Sequence, residues 1–295
     1  MKTAWIALLC VASSFAHSQK SAPPSNEANT MIVGVAHDDS IMGGGIGSSH
    51  FLPRGEVSVQ PIAWLTPAGE WMKIACNAAD KQACRSFDRD YLSKPHTYKV
   101  ISADGLDALV RVNRMELDHE CFGFGGDGSF TGGPIQSAAV AAESDAIFTS
   151  GISTHRLPEP EAQPIRQALA RAVGKKLDTT EELRVYSISL DGRPLLVVQR
   201  AFQNYADKPK YAPGSHVNLE FILAIGEMSE GHFHLIHWKE NTGDDNEQIL
   251  GLIHLKSGRD FLVDATSDPE SNSFRIYGIR NAKLSIVFEG GGGSC

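Results

Sequence analysis

The chain has 295 residues, 42% of them hydrophobic, and a formal net charge of −8. That length supplies one large domain or two of ordinary size, and the acidic balance excludes nucleic acid and anionic membrane surfaces, which both require a basic face. Past the first segment no hydrophobic stretch approaches the roughly 20 apolar residues that span a bilayer, so no membrane span is expected.

Residues 1–16 read as a signal peptide. Lys2 supplies the positive start, Ala4 to Val11 an apolar run, and Ser14-Phe15-Ala16 the small residues of a cleavage site. Leu8 and Leu9 before Cys10 do not make a lipoprotein context. The mature chain is expected to begin near His17, in the periplasm or outside the cell. Residues 17–30, polar with two prolines, read as a disordered leader.

Cleavage leaves Cys76, Cys84, Cys121 and Cys295. In an oxidising compartment they form a disulfide framework with three alternative pairings. Loop length favours Cys76 with Cys84, which leaves Cys121 for Cys295. A catalytic thiol at Asp118-His119-Glu120-Cys121 is disfavoured, because neighbours on a strand point to opposite faces.

Met31 to Ala36 is a short β-branched run, followed by the glycine-rich Ile41 to Ser49. The third glycine of a dinucleotide fingerprint is replaced there by Ser48 and no amphipathic helix follows, so a loop is expected. Pro61 to Leu65 and Glu70 to Ile74 flank Thr66-Pro67-Ala68-Gly69, which has hairpin chemistry. Trp64 and Trp71 would pair across it, and they are the candidate ligand-binding residues should the protein stack a glycan. Tyr98 to Ile101 and Ala108 to Val112 make a second hairpin around Ala103-Asp104-Gly105. The segment F-G-F-G-G-D-G-S-F-T-G-G after Cys121 reads as a glycine-rich turn carrying Asp127. Strand-like Ala146-Ile147-Phe148 follows an alanine-rich stretch.

One helix is prominent, between Pro158 and Leu177. Ile165, Leu169 and Val173 recur at four-residue spacing, with Glu159 and Glu161 early and Arg171, Lys175 and Lys176 late. Pro164 belongs in a first turn, which puts the start near Glu161 to Gln163. Eight strands are then expected: Leu183 to Ser189, Leu195 to Phe202, Val217 to Ile225, His232 to Trp238, Ile249 to Leu255, Phe261 to Ala265, Phe274 to Tyr277, and Lys283 to Phe288. The fold class is mainly β, or α+β with one prominent helix, in antiparallel sheets. Two β-rich lobes, 31–155 and 156–295, are expected, with the break near Ser153 to Pro160 and the helix leading the second.

Val185 to Val198 and Leu250 to Val263 echo one another as strand, one-glycine turn and strand. In these residues the chain resembles degenerate FG-GAP or integrin-type repeats, and so propeller-like repeats are implied over the C-terminal half. It also resembles uncharacterised secreted bacterial proteins that end in a glycine run and a cysteine, here Gly290 to Cys295. The family's aspartates bind calcium. The first turn here keeps only Asp191 and Lys256-Ser257-Gly258 has no acid, so calcium binding does not carry over.

His232 and His234 share a strand face, with His237 on the other, and His254 falls in the next strand. This set suits zinc or copper. Asp88 with Asp90 and Asp244 with Asp245 read as solvated loop charges. No nucleophile elbow, zincin helix, phosphate loop or C-x-x-C is present, and no residue is assigned as catalytic. The expected protein is an exported, non-catalytic binding or structural module without a cofactor, its partner an envelope or extracellular ligand. A metal-dependent hydrolase on His232, His234 and His254, or a glycan surface on Trp64 and Trp71, are the alternatives.

Overall fold

A computed structural model describes residues 29–36, 56–76, 81–101, 107–118, 123–132, 138–143, 147–150, 154–155, 157, 159–174, 183–203, 219–241, 246–267 and 272–292. The signal segment, the glycine-rich 41–49 stretch, Cys121, Cys295, and Asp244 with Asp245 lie outside the described residues. The chain is mainly β, in antiparallel sheets.

The first half gives β1 (Thr30–Ala36), β2 (Glu56–Leu65), β3 (Trp71–Met72), α1 (Lys81–Phe87) running into a π-helical turn (Asp88–Leu92), β4 (His96–Ile101), β5 (Asp107–Val112), β6 (Glu116–Asp118), β7 (Gly123–Gly132) and β8 (Ala138–Ala142). Six strands, in the order β4-β5-β7-β2-β1-β8, form a ring that closes where Lys99 meets Ala142. Its interior holds Met31, Val33, Val35, Val57, Val59, Tyr98, Val100, Val110 and Val112.

β7 corrects the expected turn, because the glycine-rich segment is a ten-residue strand between β2 and β5. Its glycines serve close approach. A Cβ on Gly126 would lie 2.7 Å from the Arg114 carbonyl oxygen, and one on Gly128 would lie 3.1 Å from that of Arg111. A small ring bends its strands hard, and glycine admits the bend. β8, A-A-V-A-A, is likewise a strand whose small side chains let two layers approach. Asp88 and Asp90 lie in the π-helical turn, where Asp90 is paired with its neighbour Arg89 at the surface.

The second half gives β9 (Ile147–Ser150), β10 (Thr154–His155), α2 (Glu159–Val173), β11 (Arg184–Leu190), β12 (Arg193–Gln203), β13 (Leu219–Ser229), β14 (His232–Asn241), β15 (Asn246–Leu255), β16 (Asp260–Ser267), β17 (Asn272–Arg280) and β18 (Lys283–Gly290). α2 begins at Glu159, two residues before the expected start, so Pro164 sits in its second turn. The proline deprives only the Pro160 carbonyl of its bond, and Pro160 is exposed to water.

These elements stack in layers. β9 and β15 to β18 form a sheet joined to the ring through parallel β4–β9 pairing at Ile101 and Ser150. One face of that sheet (Ile253, Phe261, Val263, Phe274, Ile276, Phe288) packs on Ile32, Ile62, Leu65 and Val140 of the ring wall. The other face (Ile249, Leu252, Leu262, Tyr277) packs on Tyr186, Ile188, Val197, Leu223 and Ile225 of the five-stranded sheet β10-β11-β12-β13-β14. The far side of that sheet buries Ala162, Ile165, Ala168 and Leu169 of α2 against Val185, Val198, Ala224 and Phe233.

β1 is buried along its whole length. Met31, Val33 and Val35 point into the ring, while Ile32 and Ala36 point into the adjoining core. The two-residue alternation of a strand therefore serves two cores at once.

Three two-residue turns, Asp191-Gly192, Glu230-Gly231 and Asn281-Ala282, hold both residues at positive φ. This primed geometry matches the twist of the strands they join. The two echoing hairpins meet at their tips. The Asp191 amide donates to the Asp260 carboxylate (2.9 Å) and the Asp260 amide to that of Asp191 (2.6 Å). Gln60 of the ring and Asn272 of β17 exchange amide hydrogen bonds of 3.1 and 3.0 Å. The closing glycines are packed as well, since a Cβ on Gly291 would lie 2.7 Å from the Ile62 carbonyl oxygen.

Candidate functional site

The expected metal set does not converge. His232 and His234 stand exposed on β14 of the five-stranded sheet, while His254 lies on β15 of the other sheet. His254 Nδ1 is 2.8 Å from the Asp260 carboxylate. Among the described residues no group of three or more His, Cys, Asp or Glu side chains is placed to hold a metal ion. The reason is topological: β15 follows β14 in sequence but crosses to the sheet below.

A bulge also changes the face of His237. Ile225 pairs with His237 and Gly226 with Leu235, which leaves Ile236 as the extra residue of β14. Crossing one inserted residue reverses the alternation. His237 therefore shares a face with His232 and His234, and its ring meets Tyr277 of β17 at 5.2 Å.

The tryptophans form no common platform. Trp64 pairs with Met72 and Trp71 with Leu65, so the indoles point to opposite faces of the hairpin. Trp64 packs edge-on to Tyr91 at 5.1 Å, and Trp71 packs edge-on to Phe261 at 5.3 Å. Each belongs to a different core. Asp127 is exposed on β7, opposite Ser58.

Two polar groupings went unrecognised in the sequence. Inside one end of the ring, His96 Nδ1 lies 2.7 Å from Glu143 and Nε2 lies 2.9 Å from the Tyr91 carbonyl oxygen. Both ring nitrogens are thus within hydrogen-bond distance of an oxygen. The Tyr91 and Tyr98 hydroxyls are 2.8 Å apart, and burial pushes both well above the ordinary phenol range. With each imidazole nitrogen engaged, this grouping ties β4, β8 and the π-helical turn together. Between the sheets, fully buried Asp264 faces Arg275 at 4.0 Å, and Arg275 Nε donates to Glu289 at 2.9 Å.

Comparison with known proteins finds no matching family model, no similar curated protein and no similar solved structure.

The surface that stands out is apolar. Among the described residues, the large hydrophobic side chains left exposed are Met228 (40%), Ile236 (36%), Trp238 (38%) and Ile286 (42%). Ile236 and Trp238 lie on β14, the last strand of its sheet, and Met228 pairs with Phe233 of that strand. Ile286 lies on β18, the last strand of the other sheet, opposite the Tyr277 that meets His237. Three of the four thus lie on strands that end their sheets, and Met228 lies on β13 next to β14. At the turn end of β13 Arg193 bonds Glu227 and donates to the Ala282 carbonyl at 3.1 Å. The Arg193 guanidinium holds the Glu227 carboxyl below the usual carboxylate range. A charge pair thus lies beside the exposed Met228.

Proposed function

We propose that this protein is exported and acts in the periplasm or outside the cell as a non-catalytic binding module. Its binding surface is the strip formed by Met228, Ile236, Trp238 and Ile286. The observation that supports this reading is that three of the four exposed large hydrophobics lie on strands that end their sheets, with Met228 on β13 next to one of them, where scattered ones would carry no meaning. Edge strands also present unpaired backbone groups that a partner can satisfy. The pattern of residues 1–16, with Lys2 at the start, the apolar run Ala4 to Val11 and the small residues Ser14 and Ala16, supports export.

A photo-crosslinking residue in place of Ile236, in cells producing the full chain, tests the surface. Discrete adducts are expected at position 236 and not at exposed Glu116, on the opposite side of the layer stack. Identical adduct patterns at both positions would remove the binding surface. N-terminal sequencing of protein recovered from the periplasm or medium should begin near His17. A chain still starting at Met1 would remove export.

A further inference from the structure

The Cys76–Cys84 disulfide closes one end of the ring in a way that suggests more than a passive staple. Cys84 lies mid-helix in α1 and is 8% exposed, and its Cα is 4.4 Å from that of Cys76, which follows β3. Cys76 is partly exposed, so a small thiol reaches the bond. α1 has seven residues, fewer than two turns. A helix this short does not persist in water by itself. It is held upstream by the disulfide and downstream by Phe87, whose ring stacks on Tyr91 at 5.4 Å and meets Phe124 at 5.3 Å.

The π-helical turn beyond it is anchored independently. Tyr91 and Leu92 are buried, the Tyr91 carbonyl accepts from His96, and the Leu92 carbonyl accepts from the Met115 amide at 2.8 Å. We infer that the disulfide is a redox latch: its reduction releases α1 and leaves the turn and the rest of the fold in place. The reductant is a dithiol. One of its thiolates attacks a protein sulfur to give a mixed disulfide, and its second thiolate displaces the protein thiolate. Two electrons and two protons pass to Cys76 and Cys84, and the dithiol leaves as its own disulfide. The freed helix carries Phe87 off Phe124 and bares an aromatic surface at the ring's end.

Hydrogen exchange on the full chain, before and after native-state reduction with dithiothreitol, reads this directly. Amide exchange in α1 should accelerate roughly 50- to 100-fold, the weight of closing a loop this short, with β1 and β16 unchanged. A double variant, Cys76→Ser with Cys84→Ser, should show the same pattern without reductant. Unchanged protection of α1, or protection lost across β1 and β16 together, would overturn the latch. So would acceleration in the reduced protein that the double variant lacks, because the effect would then belong to other cysteines.

Discussion

Tyr91 and Tyr98 share a hydrogen bond inside the ring, and burial raises both above the value near pH 10 that an unfolded tyrosine keeps. The folded state therefore holds these protons after the unfolded state has begun to lose them. The contribution is intact below about pH 10 and falls as pH rises through that point. Denaturant midpoints taken from about pH 8 to about pH 11 should decline steeply in the native protein and less steeply in Tyr98→Phe. Parallel curves would mean that these hydroxyls are not buried as described. At Ala282 the issue is backbone. Its φ of +59° costs an ordinary residue roughly 1 kcal/mol, a penalty glycine does not carry. Ala282→Gly should raise stability by up to about 1 kcal/mol, read as a higher melting temperature. The bond to Arg193 uses only the carbonyl and survives the change.

At the scale of elements, glycine plays two parts that mutation separates. Gly192 needs its φ of +77° but has open space around it, so Gly192→Ala should cost about 1 kcal/mol. Gly126 faces the Arg114 carbonyl across β7, and Gly126→Ala must push two backbones apart, at roughly 2 kcal/mol or more. Equal costs in denaturant titration would contradict the packed strand. The same residues explain what the sequence hides. The eight C-terminal strands were legible because β-branched and aromatic residues alternate between clear turns. β7 and β8 were not, since glycine and alanine carry no strand signal and only the ring's tight approach selects them. α1 is too short to show a helical period. The Ile236 bulge leaves no mark in composition, yet it decides which way His237 points. The candidate surface was illegible for a related reason: exposure of Ile236 and Ile286 depends on which strands end their sheets.

For the whole molecule, the decisive contacts join distant parts of the chain. The reciprocal Asp191–Asp260 bonds tie two hairpin tips, 69 residues apart in sequence. A double-mutant cycle on Asp191→Ala and Asp260→Ala should show coupling of roughly 1–3 kcal/mol, because each change leaves the other tip's amide unbonded. Additive losses would show that the tips meet without depending on each other.

β1 sets the order in which these parts can assemble. It pairs with β8 to shape the ring, and its outward side is buried only when Phe261, Phe274 and Phe288 arrive. The core on that outward side cannot be finished until nearly the last strand has left the ribosome, and pairings this distant form slowly. A nascent chain built this way carries one apolar side of β1 uncovered until its synthesis is almost complete.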